Sequence, residues 1–200
     1  MSEVLQFPPK CDFAMNQGDT APYIEATLVD GTGKVVQLYG TGATVRFVMI
    51  GENSGETTSP KISGSATIVT DPSFVQSSGV ITIANHGFQA GRPVMLSSTG
   101  NLPSGWNNYT VYYPVNITQN TFQLSLSAQG LPVIPADAGT GTFTMILGRV
   151  RYQWVTGDTD TTGKFWAQFK VTYSNGQIQS FPNDRTRHAY IFVYINQKAG

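Results

Sequence analysis

Short runs in which apolar and polar residues alternate are the dominant pattern along this chain. In residues 164–173, Phe165, Phe169 and Tyr173 fall on one side of an extended chain, and the polar side chains fall on the other. No segment shows an apolar period of 3.6 residues sustained over the length of a helix. The pattern therefore predicts an all-β protein whose strands each bury one face.

The predicted strands are short and are bounded by Gly, Pro, Asn and Asp. They comprise residues 23–29, 35–39, 44–50, 66–70, 80–84, 93–97, 110–116, 121–127, 141–147, 149–155, 164–173, 178–181 and 189–196. Two connections carry hairpin signals, Asn175-Gly176 and Asp30-Gly31. Because these dipeptides tolerate positive φ at the central turn positions, both favour tight turns between paired strands.

Charge is unevenly distributed along the chain. Charged residues make up 12% of the sequence, about half of the usual ~25%, and twelve basic side chains balance twelve acidic ones. Residues 74–145 contain only Arg92 and Asp137 as charged side chains, so most of the charge lies in the flanks. This contrast predicts that the middle of the chain is a separate structural unit.

The flanking strands are too few on either side to close a core alone, which favours one β-sandwich interrupted by an inserted β-domain over two domains in tandem. The inserted segment is long enough for a small barrel or sandwich. The predicted organisation is an N-terminal arm over 1–16, a discontinuous antiparallel sandwich over 17–72 and 146–200, and an inserted small β-barrel or β-sandwich domain over 73–145.

An ordered series of short motifs runs through the flanks. The motifs are 17–30 (QGDTAPYIEATLVD), 43–49 (ATVRFVM), 148–154 (GRVRYQW), 163–169 (GKFWAQF) and 181–183 (FPN). The series resembles the immunoglobulin-like N-terminal domain of the baseplate upper proteins of tailed phages. The resemblance implies that the interrupted sandwich is immunoglobulin-like.

A second series of motifs lies within the insertion. The motifs are 83–88 (IANHGF), 91–94 (GRPV), 100–103 (GNLP), 112–116 (YYPVN) and 121–125 (TFQLS). They resemble a small β-module that recurs in phage tail and fibre proteins. Together the two resemblances imply a virion structural protein of the tail, baseplate or neck, acting as an assembly adaptor between copies of itself, in a ring or trimer, and other virion proteins. A capsid decoration protein on the same sandwich is an alternative.

Signals for catalysis or metal binding are weak. Residues 31–34 lack the spacing of a phosphate-binding loop. Residues 158–163 begin like a calcium loop, but Phe169 stands where that loop needs a Glu, which favours a polar hairpin over a weak calcium site. His86 and His188, the two imidazoles, lie in different predicted domains. We therefore expect no catalytic residues, no cofactor, no metal site and no enzymatic activity.

The strongest ligand-like cluster lies in the insertion, at Trp106, Asn108, Tyr109 and Tyr112. Exposed aromatic rings stack on sugar rings, and neighbouring amides bind sugar hydroxyls. One interpretation is therefore a carbohydrate-binding module of an adhesin that contacts a host surface glycan. The more favoured interpretation is that these aromatic residues pack the core of the insertion or its contact with a neighbour.

Two further segments are candidate interface regions. Phe7 precedes two prolines that favour extended structure, so the arm is suited to lacing into an adjacent subunit. Arg185 and Arg187 form a short basic cluster before the final predicted strand, suited to a solvated loop or to ionic contacts between subunits.

Net charge and hydropathy limit the expected partners and location. A net charge of zero predicts no nucleic-acid partner. No apolar run approaches the ~20 residues of a membrane-spanning helix, so no membrane insertion is expected. The first residues lack the basic and apolar regions of a secretory signal. We therefore expect synthesis in the host cytoplasm and a final location in the virion.

Overall fold

The computed structural model describes residues 13–51, 61–182 and 191–198. These residues form strands, turns and loops, with no helix among them, which confirms the predicted all-β class. The chain divides into two compact units. The first contains the described residues up to Ala26, from Gly42 to Ile68 and from Val150 onward, and the second contains Thr27–Thr41 and Val69–Arg149.

Fourteen strands are formed by the described residues. In chain order they are β1 (Phe13–Asn16), β2 (Ile24–Thr27), β3 (Thr44–Gly51), β4 (Ile62–Ile68), β5 (Ser73–Ser77), β6 (Val80–Thr82), β7 (Met95–Ser98), β8 (Tyr113–Val115), β9 (Thr121–Ser125), β10 (Phe143–Ile146), β11 (Arg149–Tyr152), β12 (Gly163–Thr172), β13 (Ile178–Phe181) and β14 (Ile191–Asn196).

The first sheet has eight strands in the order β1-β14-β12-β3-β4-β11-β2, and β13 also pairs with β12. The long strand β12 pairs antiparallel with β3 along most of its length, with β14 near its start and with β13 near its end. One edge departs from the predicted antiparallel arrangement, because β1 runs parallel to β14. Residues 13–16, which were expected to belong to an N-terminal arm, therefore form a strand of the sheet.

Aromatic packing shows how this sheet curls around a core. Strand β4 pairs with β3 through its first residues and with β11 through its last residues. This arrangement places Tyr152 of β11 over Phe47 of β3, with the ring centroids 4.7 Å apart and the planes nearly parallel. Trp154 contacts Phe47 edge-on and also stacks on Phe13 of β1, near the opposite end of the strand order. The sheet thus bends back on itself and covers the buried faces of β3 and β12.

The second sheet closes into a barrel. Its strand order is β7-β10-β5-β6-β9-β8. Val94, just before β7, and Tyr112, just before β8, exchange backbone N–H···O hydrogen bonds of 2.9 and 2.8 Å, which join the two ends of this order. Closure of this kind pairs edge strands that would otherwise be open. The barrel core contains Phe74, Ile81, Leu96, Trp106, Tyr112, Phe122, Leu124, Phe143 and Met145.

A hairpin from the N-terminal third of the chain groups with the barrel rather than with the first unit. Leu28 donates its N–H to the Gly148 carbonyl and accepts from Val36 N–H, both at 2.9 Å. Val35 packs against Met95 and Ile146 in a small apolar cluster. Residues 27–41, which sequence analysis assigned to the sandwich, therefore belong to the second unit, because their hydrogen bonds and apolar contacts lie there.

Several strand predictions need correction. Residues 35–39 were predicted as a strand, but only Val35 forms an isolated bridge, to Val29. Residues 13–16 and 73–77 form strands that were not predicted. The Asn175-Gly176 signal does mark a hairpin between β12 and β13. The loop has three residues, 174–176, instead of the predicted two, and a hydrogen bond from Tyr173 N–H to the Gln177 carbonyl closes it. Of these loop residues, only Gly176 has a positive φ.

Candidate functional site

Two of the four residues in the predicted ligand cluster are core residues. Trp106 is 3% exposed, and its indole Nε1 donates to the Val133 carbonyl at 3.2 Å. Tyr112 is fully buried, and its hydroxyl accepts a hydrogen bond of 2.9 Å from Asn107 N–H. Neither ring offers a face on which a sugar could stack. Trp106 and Tyr112 therefore pack the core of the barrel, as the favoured interpretation expected, and are not exposed ligand contacts.

The other two members of that cluster lie at the surface. Asn108 is exposed, and Tyr109 is 52% exposed. Tyr109 has a positive φ of 56° and donates its N–H to the Leu96 carbonyl at 3.0 Å, so its backbone is anchored to the barrel. The structure separates the cluster into a buried pair and an exposed pair, and one exposed aromatic ring remains.

Residues 158–163 do not form the predicted hairpin, because β11 pairs with β4 and β2 and not with β12. Both carboxylates of this segment bind protein groups. Asp158 Oδ2 accepts hydrogen bonds of 2.8 Å from the Tyr152 hydroxyl and from Val155 N–H. Burial, reinforced by this bond to Asp158, raises the pKa of Tyr152. Asp160 pairs with Lys61, which lowers the pKa of the Asp160 carboxyl. Among the described residues, no group of three or more His, Cys, Asp or Glu side chains could hold a metal ion.

His86 is a packing residue of the barrel. Its Nδ1 accepts the Phe88 N–H at 3.0 Å. Its ring stacks on Phe88 and meets Phe122 edge-on, with both centroid distances at 4.9 Å. The other candidate residues, Phe7, Arg185, Arg187 and His188, lie outside the described residues.

A groove on the barrel was not predicted from the sequence. It has a volume of about 580 Å³ and lies where β5, β6 and the start of β10 meet. Its polar walls include Ser73, Gln76, Thr82 and Thr142, and Val75 contributes an apolar side chain that is 69% exposed. None of the residues that line the groove is charged. An uncharged, mixed polar and apolar groove suits a neutral occupant, because a charged group would lose hydration there without gaining a partner.

The groove opens because β10 diverges from β5. The two strands pair only at Phe143 with Phe74 and at Thr144 with Ser73. Immediately before β10, Gly141 has a φ of +85°, and a Cβ on Gly141 would lie 2.5 Å from Gly100 N. Position 141 therefore requires glycine, because only glycine allows both this close approach and a positive φ at low cost. At that point the chain approaches residues 99–100, and the Thr142 carbonyl accepts a hydrogen bond from Thr99 N–H.

Exposed apolar side chains are a second feature of the barrel surface. Leu131 is 90% exposed, and Leu126 and Ile134 on the same connection are also exposed. The acidic group nearest to them in sequence, Asp137, is held by hydrogen bonds from the Ser104 hydroxyl, Ser104 N–H and Gly139 N–H. These bonds lower the pKa of Asp137, so it stays ionised. Large apolar side chains on a weakly charged surface are suited to protein contacts.

The comparisons with known proteins returned no match. Neither a family model, a curated protein nor a solved structure matches this chain. In the described ranges, no helix is long and apolar enough to cross a membrane. Functional inference therefore depends on the surfaces of the chain itself and on the motif resemblances of its sequence.

Proposed function

We propose that this chain is a structural protein of a tailed-phage particle, in the tail, baseplate or neck. In this role it links copies of itself, in a ring or trimer, to other virion proteins. The observation that carries the proposal is the surface of the barrel, where exposed apolar side chains and an uncharged groove occur in a segment with very little charge. Low charge weakens the repulsion that keeps proteins apart.

The setting of the proposal comes from the two motif resemblances. The flanking motifs resemble the immunoglobulin-like domain of phage baseplate upper proteins, and the inserted motifs resemble a module of tail and fibre proteins. Two β-rich units in one chain agree with that architecture. Fold alone does not define function, so the particle must be examined directly.

The adaptor role is favoured over a carbohydrate-binding adhesin. The adhesin interpretation relied on Trp106 and Tyr112 as exposed stacking residues, and both are buried. Only Tyr109 remains as an exposed aromatic of that cluster.

The test combines location with association. Mass spectrometry of purified particles of the phage that encodes this chain is expected to detect it as a stoichiometric component. Light scattering of the purified protein is expected to show an oligomer, and Leu131→Asp is expected to shift it toward monomer. Ile178→Asp, at an equally apolar exposed position of the first unit, serves as the control. A chain that is absent from the particles and monomeric at high concentration contradicts the proposal.

A further inference from the structure

We infer that the groove beside β5 receives an extended, uncharged segment of a neighbouring polypeptide, which adds to β5 as a short strand. The inference deepens the proposed assembly role and rests on it for the source of that segment.

Backbone direction in β5 follows from its hairpin with β6. Ser78 and Gly79 both have positive φ and join the two strands as a two-residue turn, so Ser77 and Val80 form the hydrogen-bonded closing pair. In an antiparallel ladder, hydrogen-bonded pairs alternate with pairs that do not exchange bonds. Gln76 opposite Ile81 is of the second kind. Its N–H and C=O therefore point away from β6, toward the side of β10.

Within the described residues, no strand pairs with Gln76 on that side, although its side-chain amide donates to the carbonyls of Asp137 and Ala138 at 3.5 and 3.4 Å. The pairing of Phe74 with Phe143 would continue with Gln76 opposite Gly141, but within the described chain the ladder ends at Phe74. Gly141 bends toward Gly100, which carries the incoming chain away from β5. Gln76 thus presents one donor and one acceptor at the edge of a strand, and such an edge is the recognition element for strand addition by an extended peptide.

The walls define the chemistry of the segment. Val75 is exposed beside the open edge, and Thr82 and Thr142 add hydroxyl groups. Because no lining residue is charged, a segment with alternating apolar and small polar side chains fits better than one with Lys, Arg, Asp or Glu. A neutral oligosaccharide has hydroxyl groups but lacks the regular alternation of amide N–H and C=O, so the backbone of Gln76 favours a peptide.

The experiment uses the full chain and a defined probe. The probe is a blocked heptapeptide of alternating Thr and Val, and its control is the same peptide with alternate amide nitrogens methylated. Hydrogen exchange resolved to single residues is expected to show that the first peptide slows exchange of Gln76 N–H at least about fivefold, while the methylated peptide has no effect. Protection at Gln76 by both peptides equally, or by neither at millimolar concentration, overturns the inference.

Two matched substitutions locate the site. Val75→Lys places a charge at the groove, and Val80→Lys places one on the partner strand outside it. The first is expected to weaken binding of the heptapeptide about tenfold or more, and the second by less than about twofold. Equal effects of the two overturn the assignment. If Val75→Lys does not fold, the exchange comparison on the unmodified chain decides the matter alone.

The same assay separates peptide from sugar and separates this inference from the assembly role. Protection of Gln76 by a neutral glucose hexasaccharide, without protection by the heptapeptide, would overturn the peptide inference in favour of a glycan. Absence of peptide binding in a chain that is oligomeric and present in particles would overturn the groove inference and leave the proposed function standing.

Discussion

Gly64 shows how one residue controls the packing of the first unit. It lies opposite Phe47 in the pairing of β3 with β4, and the Tyr152 ring covers it. A Cβ on Gly64 would lie 2.6 Å from the Tyr152 hydroxyl oxygen. A glycine within a strand is normally a weakness, but here an aromatic ring occupies the space of its missing side chain. Because the same ring stacks on Phe47, displacing it disturbs the core.

Gly64→Ala is therefore expected to destabilise the protein by about 1–3 kcal/mol through overpacking against Tyr152. Gly31→Ala is the control, because a Cβ at Gly31 meets no atom within 4 Å. Urea unfolding followed by circular dichroism compares the two. Equal free energies of unfolding for the two variants would show that Tyr152 yields without cost.

Asp71 is a second residue whose effect depends on its surroundings. The residue is buried, and its Oδ1 accepts Leu147 N–H at 2.9 Å. Burial raises its pKa above the ordinary value of 3.8 despite this hydrogen bond and the positive charge of Arg149. A carboxyl group with a raised folded-state pKa binds protons more readily in the folded state. Its contribution to stability therefore increases as pH falls through that pKa and is lost as pH rises through it.

Asp71→Asn is expected to remove this pH dependence while keeping the acceptor for Leu147 N–H. The gain in the free energy of unfolding of Asp71→Asn over the unmodified chain should be largest at pH 7, where the buried carboxyl of Asp71 is ionised. The difference should shrink as pH falls through the raised pKa toward 3.8. Unfolding measured across that range tests this, and a difference that is constant with pH would rule out the raised pKa.

At the scale of elements, alternation identified most strands but missed β1, whose partner β14 is distant in sequence, and β5, which has a single buried residue. β5 is short, with only Phe74 fully buried, although the Ser78-Gly79 dipeptide was an available turn signal. Residues 35–39 alternate well, yet only Val35 forms a bridge. The aromatic segment 106–112 shows the same limit, because composition alone does not distinguish a buried ring from an exposed one.

Substitutions in that segment are expected to differ sharply in cost. Trp106→Ala should destabilise the barrel by about 3–5 kcal/mol, because it removes a core side chain and leaves a cavity. Tyr109→Ala should change stability by less than about 0.5 kcal/mol, because the ring is largely exposed. Thermal unfolding of both variants makes the comparison. A small effect of Trp106→Ala would contradict the assignment of Trp106 to the core and make it a candidate ligand contact again.

At the scale of the whole molecule, the low charge predicts how copies associate. The chain carries no net charge, and the segment 74–145 has only two charged side chains. Contacts through apolar side chains such as Leu131 are not screened by salt, whereas contacts between exposed ions are. The type of contact can therefore be identified from its salt dependence.

The oligomer expected of this chain should have the same mass by light scattering at 0.1 M and about 1 M NaCl, because the Debye length falls from ~10 Å to ~3 Å without affecting apolar burial. A variant with a charged residue at Leu131 provides the reference for a weakened contact. Dissociation of the unmodified oligomer at high salt would show that ionic contacts dominate, against the proposed basis of assembly.

The all-β class, most of the strands, the hairpin at Asn175-Gly176 and the weakly charged middle segment followed from the sequence alone. They depend on local alternation, turn residues and composition, which neighbouring positions determine. Closure of the barrel through Val94 and Tyr112, the parallel pairing of β1 and the open edge at Gln76 were decided only in three dimensions. Each depends on which distant segment supplies a backbone partner, and no periodicity along the chain records that choice.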